Sequence, residues 1–355
     1  MRGRGPKPIA PRPAVARLGA YHAPQEGRAG KLRLDFNENT VGCSPAVLRA
    51  LRKLTREGLA MYPEYQAASR RLAAFFGVRA TEMLLTNGVD DALRLLVDTF
   101  VDRSDSVLLV EPTFPMYRFY AALVDARVAS LRYDAEMHFP LEGVRRALRK
   151  RPRVFFLANP NNPTGTLLAK ETIRRLLEAA PKTVVVVDEA YAEFSGVTVL
   201  PWIRRYPNLV VTRTFSKATG LAGLRLGCIF CCPAMIALME KARTPFPVNA
   251  AALVAAEAAA RDAGFIRRYV GEITRSREEL MRGLARLGIR VFPSAANFVM
   301  ADLGARGSTQ VKGLARRGIL LRDRSSEFGR AGFVRITVGT RAQTHRMLRA
   351  IEELG

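Results

Sequence analysis

Three histidines and four cysteines in 355 residues leave little material for a metal centre or a disulfide scaffold. Cys228 and Cys231 form a CxxC, but the stretch CIFCC reads as a buried strand, and no second cysteine pair or histidine cluster completes a zinc site. The cysteine usage fits a reducing cytoplasm. No apolar run approaches the ~18 residues of a membrane span, and the longest, 228–239, is interrupted by Pro233. No internal repeat is visible. Residues 1–17 hold no acid and no apolar core of a signal peptide, and Pro6, Pro8, Pro11 and Pro13 spoil the amphipathic helix of a transit peptide. Residues 1–20 therefore read as a basic, proline-rich, mobile arm.

Acidic residues are also short: 32 Asp and Glu face 56 Lys and Arg, a net charge of +24. Such an excess can mean nucleic acid. Most of it, however, is arginine spread along helical faces, and no aromatic-basic RNA module is present. The densest cluster, 145–153, reads as a solvated helix end. Nucleic-acid binding is not expected; an anionic small-molecule substrate gains from the field instead. With 48% apolar and 25% charged residues, the chain reads as a globular protein of one large and one small domain.

From residue 82 the pattern alternates. Apolar strands at 82–86, 106–110, 153–158, 183–188, 208–212 and 226–230 are separated mostly by helices, among them VDDALRLLVDTF after Asn87-Gly88. Near-continuous Val, Leu, Ile and Phe strands predict a mostly parallel sheet covered by helices on both faces. Ser44-Pro45 opens one helix, and another, 64–76, stops at Gly77. Past Pro247 come long Ala- and Arg-rich helices, then short strands and a closing helix. The expected division is a large domain at 46–244 and a smaller α+β domain made of 21–45 with 245–355.

Ligands of such sheets bind beyond the carboxyl ends of the strands. There the chain places TRTFSKATGLAGLRLG, residues 212–227. Lys217 sits among small and hydroxyl residues that let a flat ligand approach its amine, while the hydroxyls and Arg225 can hold an anion. An amine beside a phosphate cradle suits a Schiff base to pyridoxal phosphate; alone, the stretch reads equally well as an exposed loop. Asp188 ends a strand of valines, where a carboxylate is costly without a cationic partner such as a protonated pyridine nitrogen. Asn162 and Tyr191 can bond a ring oxygen, and Phe114 can stack on the ring. Gly88 with the amides of Val89 and Asp90 opens a helix, a ready anion site.

The segments LDFNEN (34–39), YP (62–63), TNGVDDAL (86–93), EPTFPMY (111–117), NPNNPTG (159–165), VDEAY (187–191), TFSKATGLAGLRLG (214–227), SAANF (294–298), LRD (321–323) and VRITVGT (334–340) carry a resemblance. The chain resembles the fold-type I pyridoxal-phosphate aminotransferases, and within them the histidinol-phosphate branch, although Thr40 stands where that branch usually has proline. The resemblance implies a fold-type I PLP-transferase α/β fold with a mostly parallel sheet between helices. It makes Lys217 the cofactor lysine and Asp188 the partner of the pyridine nitrogen. Asn162 and Tyr191 would then bond the ring oxygen, and Thr214, Ser216 and Arg225 the cofactor phosphate. Tyr62 would reach in from a second subunit of a homodimer with shared active sites. Tyr21, Asn39, Arg322 and Arg335 would bind substrate. The implied reaction is ping-pong transfer of the amino group of L-histidinol phosphate to 2-oxoglutarate, a step of histidine biosynthesis. The alternatives are a threonine-phosphate decarboxylase-like lyase or an aromatic amino acid aminotransferase, and a keto-acid requirement separates the lyase from the rest.

Overall fold

The computed structural model describes residues 9–20 and 26–354. Its strands, in chain order, are β1 (Leu32–Arg33), β2 (Met83–Thr86), β3 (Ser106–Glu111), β4 (Arg127–Arg132), β5 (Val154–Ala158), β6 (Val184–Asp188), β7 (Leu209–Thr214), β8 (Gly227–Phe230), β9 (Arg290–Phe292), β10 (Phe298–Asp302), β11 (Ile319–Leu320), β12 (Arg322–Asp323) and β13 (Phe333–Thr337). A seven-stranded sheet has the order β2-β8-β7-β6-β5-β3-β4, and a four-stranded antiparallel sheet the order β12-β13-β10-β9. β1 and β11 form a separate parallel pair.

The valines of β6 show how the large sheet is stabilised. Val185 and Val187 enter one core with helices Tyr65–Phe76 and Lys170–Ala179, while Val186 enters the other with helices Gly88–Phe100 and Pro115–Leu123. All three side chains are fully buried. The two-residue period of a strand sends neighbours to opposite faces, so a sheet buried on both faces needs an unbroken apolar run. Each fully buried valine contributes about 1.5–3 kcal/mol.

Two strand features differ from expectation. β8 is antiparallel to both β2 and β7. The link from β7 contains only a short 3-10 turn at Ala222–Leu224, so the chain turns straight back; a parallel return needs a longer crossover. β4 was not foreseen: it is an edge strand of sequence RVASLR, mostly exposed, and carries no apolar run to mark it.

Helix Ala250–Arg261, which the sequence pattern grouped with the smaller unit, packs in the core of the seven-stranded sheet through Ala252, Ala255, Ala256 and Ala259. The small alanine side chains let it lie close to the neighbouring helices. Helix Ala263–Arg286 begins the other core, which includes Leu34, Ile273, Phe298 and Ile336. The proline-rich arm also differs from expectation. Pro13 starts a helical turn whose Ala14 is buried, Arg12 donates to the Leu123 carbonyl at 3.1 Å, and Arg17 pairs with Asp125. Residues 12–17 thus dock on the end of helix Pro115–Leu123, because proline at the first position presets a turn and alanine fits the small gap. Among the described residues, no helix is long and apolar enough to cross a membrane.

At the end of β2 away from the strand tips, Glu82 is fully buried and bonded by Arg204 at 2.8 Å and by Arg79 at 2.6 Å. The Arg204 hydrogen bonds lead the effects that hold its carboxyl at about 2, against an ordinary 4.5. Its contribution to stability is complete above pH 4.5 and is lost as the pH falls toward 2. Glu82→Gln should therefore lower unfolding stability by about 2–3 kcal/mol at neutral pH. In urea titrations the gap from wild type should narrow at pH 3; an equal gap at both pH values would contradict this ion-pair account.

Candidate active site

The carboxyl ends of β3, β5, β6 and β7 point to one end of the large sheet. Because β8 runs the other way, its beginning lies at that same end, with Thr86, Thr214 and Gly227 in register across three strands. Arg225, just before β8, is delivered there as well. Its backbone is left-handed, with φ of 54°. Gly88 makes room for it: with φ of 77°, a Cβ at that position would sit 2.6 Å from the Arg225 guanidinium. Arg225 lies 3.1 Å from the Asp90 carboxylate, beside the first turn of helix Gly88–Phe100.

These strand ends and the four-stranded sheet enclose a cleft of about 270 Å³. Loop 35–39 closes one side. It is fixed by Asn37, whose amide N–H donates to the Thr337 hydroxyl at 2.9 Å and whose carbonyl accepts from Asn297 at 3.1 Å. Lys217 is half-buried in the cleft and donates to the Phe36 carbonyl at 3.0 Å. Burial first, and then the charge of Arg335, push its amine down to about 8. A lysine in this state is neutral in about a tenth of molecules at pH 7 and about half at pH 8, far more than an ordinary lysine, so a nucleophile and proton acceptor is at hand.

Asp188, at the end of β6, is 5% exposed. Its carboxylate accepts from Tyr117 at 2.6 Å, from Thr212 at 2.9 Å and from the Ala190 amide at 3.2 Å. Among the described residues no lysine or arginine forms an ion pair with it. Burial raises its pKa while these hydrogen bonds oppose the rise. Such a group suits a ligand cation. Tyr191 is buried and its hydroxyl accepts from Asn37 at 2.9 Å; burial also raises its pKa.

Arg335 comes from β13. It donates to Asn162 at 2.6 Å and to the Asp35 carbonyl at 2.5 Å, while its buried Nε has no hydrogen-bond partner among the described residues. Arg322 lies opposite it on β12 and sits 5.5 Å from the Phe36 ring. Arg324 also lines the cleft.

Of the residues expected from the sequence, Val89, Asp90, Phe114, Asn162, Asp188, Tyr191, Thr214, Ser216, Lys217, Arg225, Arg322 and Arg335 all line this one cleft. Gly88 abuts it through Arg225. Asn39 does not line it: its side chain accepts from the amides of Val41 and Gly42 and donates to the Ala218 carbonyl, so it ties a loop to the lysine segment. Tyr62 does not line it either, being 77% exposed and stacked on Phe246 at 4.3 Å. Tyr21 lies outside the described residues. Tyr117, Thr212, Asn37, Glu38 and Arg324 were missed. Tyr117 and Thr212 stood inside quoted motifs, but only the packing of β6 against its neighbours brings their hydroxyls to Asp188. Arg324 had a signal, since a strand places residues 322 and 324 on one face.

The family model for aminotransferase class I and II matches residues 29–351. A histidinol-phosphate aminotransferase of Geobacillus is 36% identical over 330 residues, covering 91% of this chain and 90% of its own. One from Symbiobacterium thermophilum is 37% identical, covering 90% of each chain. The chain belongs to the class I and II aminotransferases. Among solved structures, histidinol-phosphate aminotransferase of Sinorhizobium meliloti in complex with pyridoxal-5'-phosphate superposes with a TM-score of 0.86 at 26% identity, covering 97% of this chain and 98% of that one. L-threonine-O-3-phosphate decarboxylase of Porphyromonas gingivalis gives 0.80 at 26% identity, with 91% and 99% covered. The fold is therefore fold-type I.

In this aminotransferase the donor set fits a flat ligand with an anionic arm and a ring cation. Ser216, Arg225 and the first amides of helix Gly88–Phe100 can hold one anion, Asp188 suits a cation, and Arg322 and Arg335 can hold a second anion. In the cofactor-free protein the Lys217 amine should titrate near pH 8. Competitive labelling with acetic anhydride, followed by peptide mapping, measures this. Arg335→Leu should move the midpoint up, since it removes a repelling charge; a midpoint near that of free lysine in wild type would contradict the burial argument.

Proposed function

We propose that this aminotransferase uses pyridoxal phosphate to transfer the amino group of L-histidinol phosphate to 2-oxoglutarate, giving imidazole-acetol phosphate and glutamate in histidine biosynthesis. The observation that carries the reading is the Lys217 amine sharing one cleft with Asp188, a buried carboxylate lacking a cation, and with the arginines of β12 and β13. The relatives named for this activity support it across nine-tenths of the chain. The setting proposed is the cytoplasm.

Bound pyridoxal phosphate supplies an aldehyde for the donor amine and a ring that draws electrons from the donor Cα. Asp188 would keep the ring nitrogen protonated. Asn162 and Tyr191 would bond the ring oxygen, and Phe114 would stack on the ring. Thr214, Ser216, Arg225 and the amides of Val89 and Asp90 would hold the phosphate. Lys217 Nζ, with a pKa lowered to about 8, accepts the proton leaving the donor Cα and later returns it. Arg322 and Arg335 grip the donor phosphate in one half-reaction and a carboxylate of 2-oxoglutarate in the other.

The test is a donor screen on the holoenzyme with and without 2-oxoglutarate. Histidinol phosphate should give the highest kcat/KM, above phenylalanine and tyrosine, and turnover should stop without the keto acid. Decarboxylation of threonine phosphate, the activity for which the Porphyromonas gingivalis neighbour is named, would replace this reading if it ran without keto acid.

The enzyme is further proposed to work as a homodimer in which the partner subunit's Tyr62 completes the cofactor phosphate site. Support comes from an exposed apolar patch of Leu59, Met61, Tyr62 and Phe246, at 65%, 70%, 77% and 49% exposure. Such a patch is costly in water unless covered. Mixing Tyr62→Ala with Lys217→Ala subunits should restore part of the activity, because one hybrid site carries neither change. Proven subunit exchange without recovery would refute the shared site.

A further inference from the structure

Arg322 and Arg335 face one another across the antiparallel pair β12–β13. The pairing runs one residue further, since the Arg324 amide donates to the Phe333 carbonyl at 2.8 Å. With a period of two, Arg322, Arg324 and Arg335 share one sheet face, and Asp323 and Val334 lie on the other. All three arginines line the cleft, and Arg324 is 4% exposed. Like charges side by side on a sheet face are destabilising, the more so out of water. Burial and then the Arg324 charge bring the Arg335 guanidinium down to about 10.

Among the described residues one acid pairs directly on this face. Glu327, from the short helix Ser325–Phe328, pairs with Arg324 at 2.8 Å. Asp323, on the far face, is engaged by the hydroxyl of Ser308 and the amide of Ser325. On the cleft face, three guanidiniums less the Glu327 carboxylate leave two positive charges, which Asp323 moderates through Arg322 from the far face. A phosphate monoester carries close to two negative charges at neutral pH; a carboxylate carries one. Two arginines and the same glutamate would leave one.

We propose that Arg324 is a specificity-determining residue that sets the cleft's charge for a dianion, so that phosphate monoesters are preferred over singly charged anions. This rests on the phosphorylated-donor reading above, but it concerns the anion and not the imidazole end of the donor. Specificity here is a difference of two affinities, made by one added charge and not by shape.

The test separates charge from shape, using holoenzyme and isothermal titration with propyl phosphate, propyl sulfate and butyrate. Phosphate and sulfate esters are both tetrahedral, but only the first is a dianion. Wild type should bind propyl phosphate at least roughly tenfold more tightly than either of the others. Arg324→Leu should bring that preference close to one while affinity for propyl sulfate and butyrate changes little. Arg324→Lys, which keeps the charge and most of the volume, should retain much of the preference. Equal loss for all three probes, or an unchanged preference in Arg324→Leu, would overturn the proposal. If histidinol phosphate proves a poor donor while Arg324→Leu still loses its phosphate preference, the donor assignment fails and this inference stands.

Discussion

Asp188 is the constraint around which the site is built. A carboxylate 5% exposed at the end of a strand of valines loses most of its hydration. Hydroxyls of Tyr117 and Thr212, from the layers beside and beneath it, and the Ala190 amide offset part of that cost. None brings a positive charge. The fold therefore holds an acceptor that suits a ligand cation, and Tyr117 is itself pinned by stacking on Phe156 at 5.0 Å.

On the opposite side of β7 the same burial is handled differently. Arg213, between Thr212 and Thr214, points away from the cleft and pairs with Glu189 at 2.8 Å and Glu193 at 2.9 Å. Glu189 is next to Asp188 in sequence, so strand alternation sends two successive acids to opposite fates. One is neutralised inside the protein and is structural; the other is left for a ligand. The hydroxyls that serve the cleft, on Thr212 and Thr214, alternate with Arg213 for the same reason.

The smaller sheet supplies what the larger one lacks. Its β12–β13 pair presents guanidiniums to a cleft whose other wall carries the lysine and the aspartate. Burial depresses the Lys217 amine most and the Arg335 charge lowers it further, so the anion site and the nucleophile are electrostatically linked. Loop 35–39 bridges the two: Phe36 accepts from Lys217 through its carbonyl, and its ring lies 4.3 Å from Arg28 and 5.5 Å from Arg322.

The sequence by itself determined the strand-and-helix alternation, the position of the reactive end of the sheet and most of the cleft-lining residues. Apolar runs, helix caps and short polar motifs at strand ends are local signals, and local chemistry suffices to read them. The reversed β8, the exposed edge β4, the place of helix Ala250–Arg261 and the docking of Pro13–Ala16 were decided by packing. Each depends on what lies beside a segment, not on its own pattern. The same holds within the site. Asn39 stood in a motif that suggested substrate, yet loop geometry turned its side chain to backbone amides; Arg324 stood in no assigned motif, yet pairing with β13 turned it into the cleft. Which carboxylate is matched and which is left waiting is a property of three-dimensional neighbours, because charge interacts through space and not along the chain.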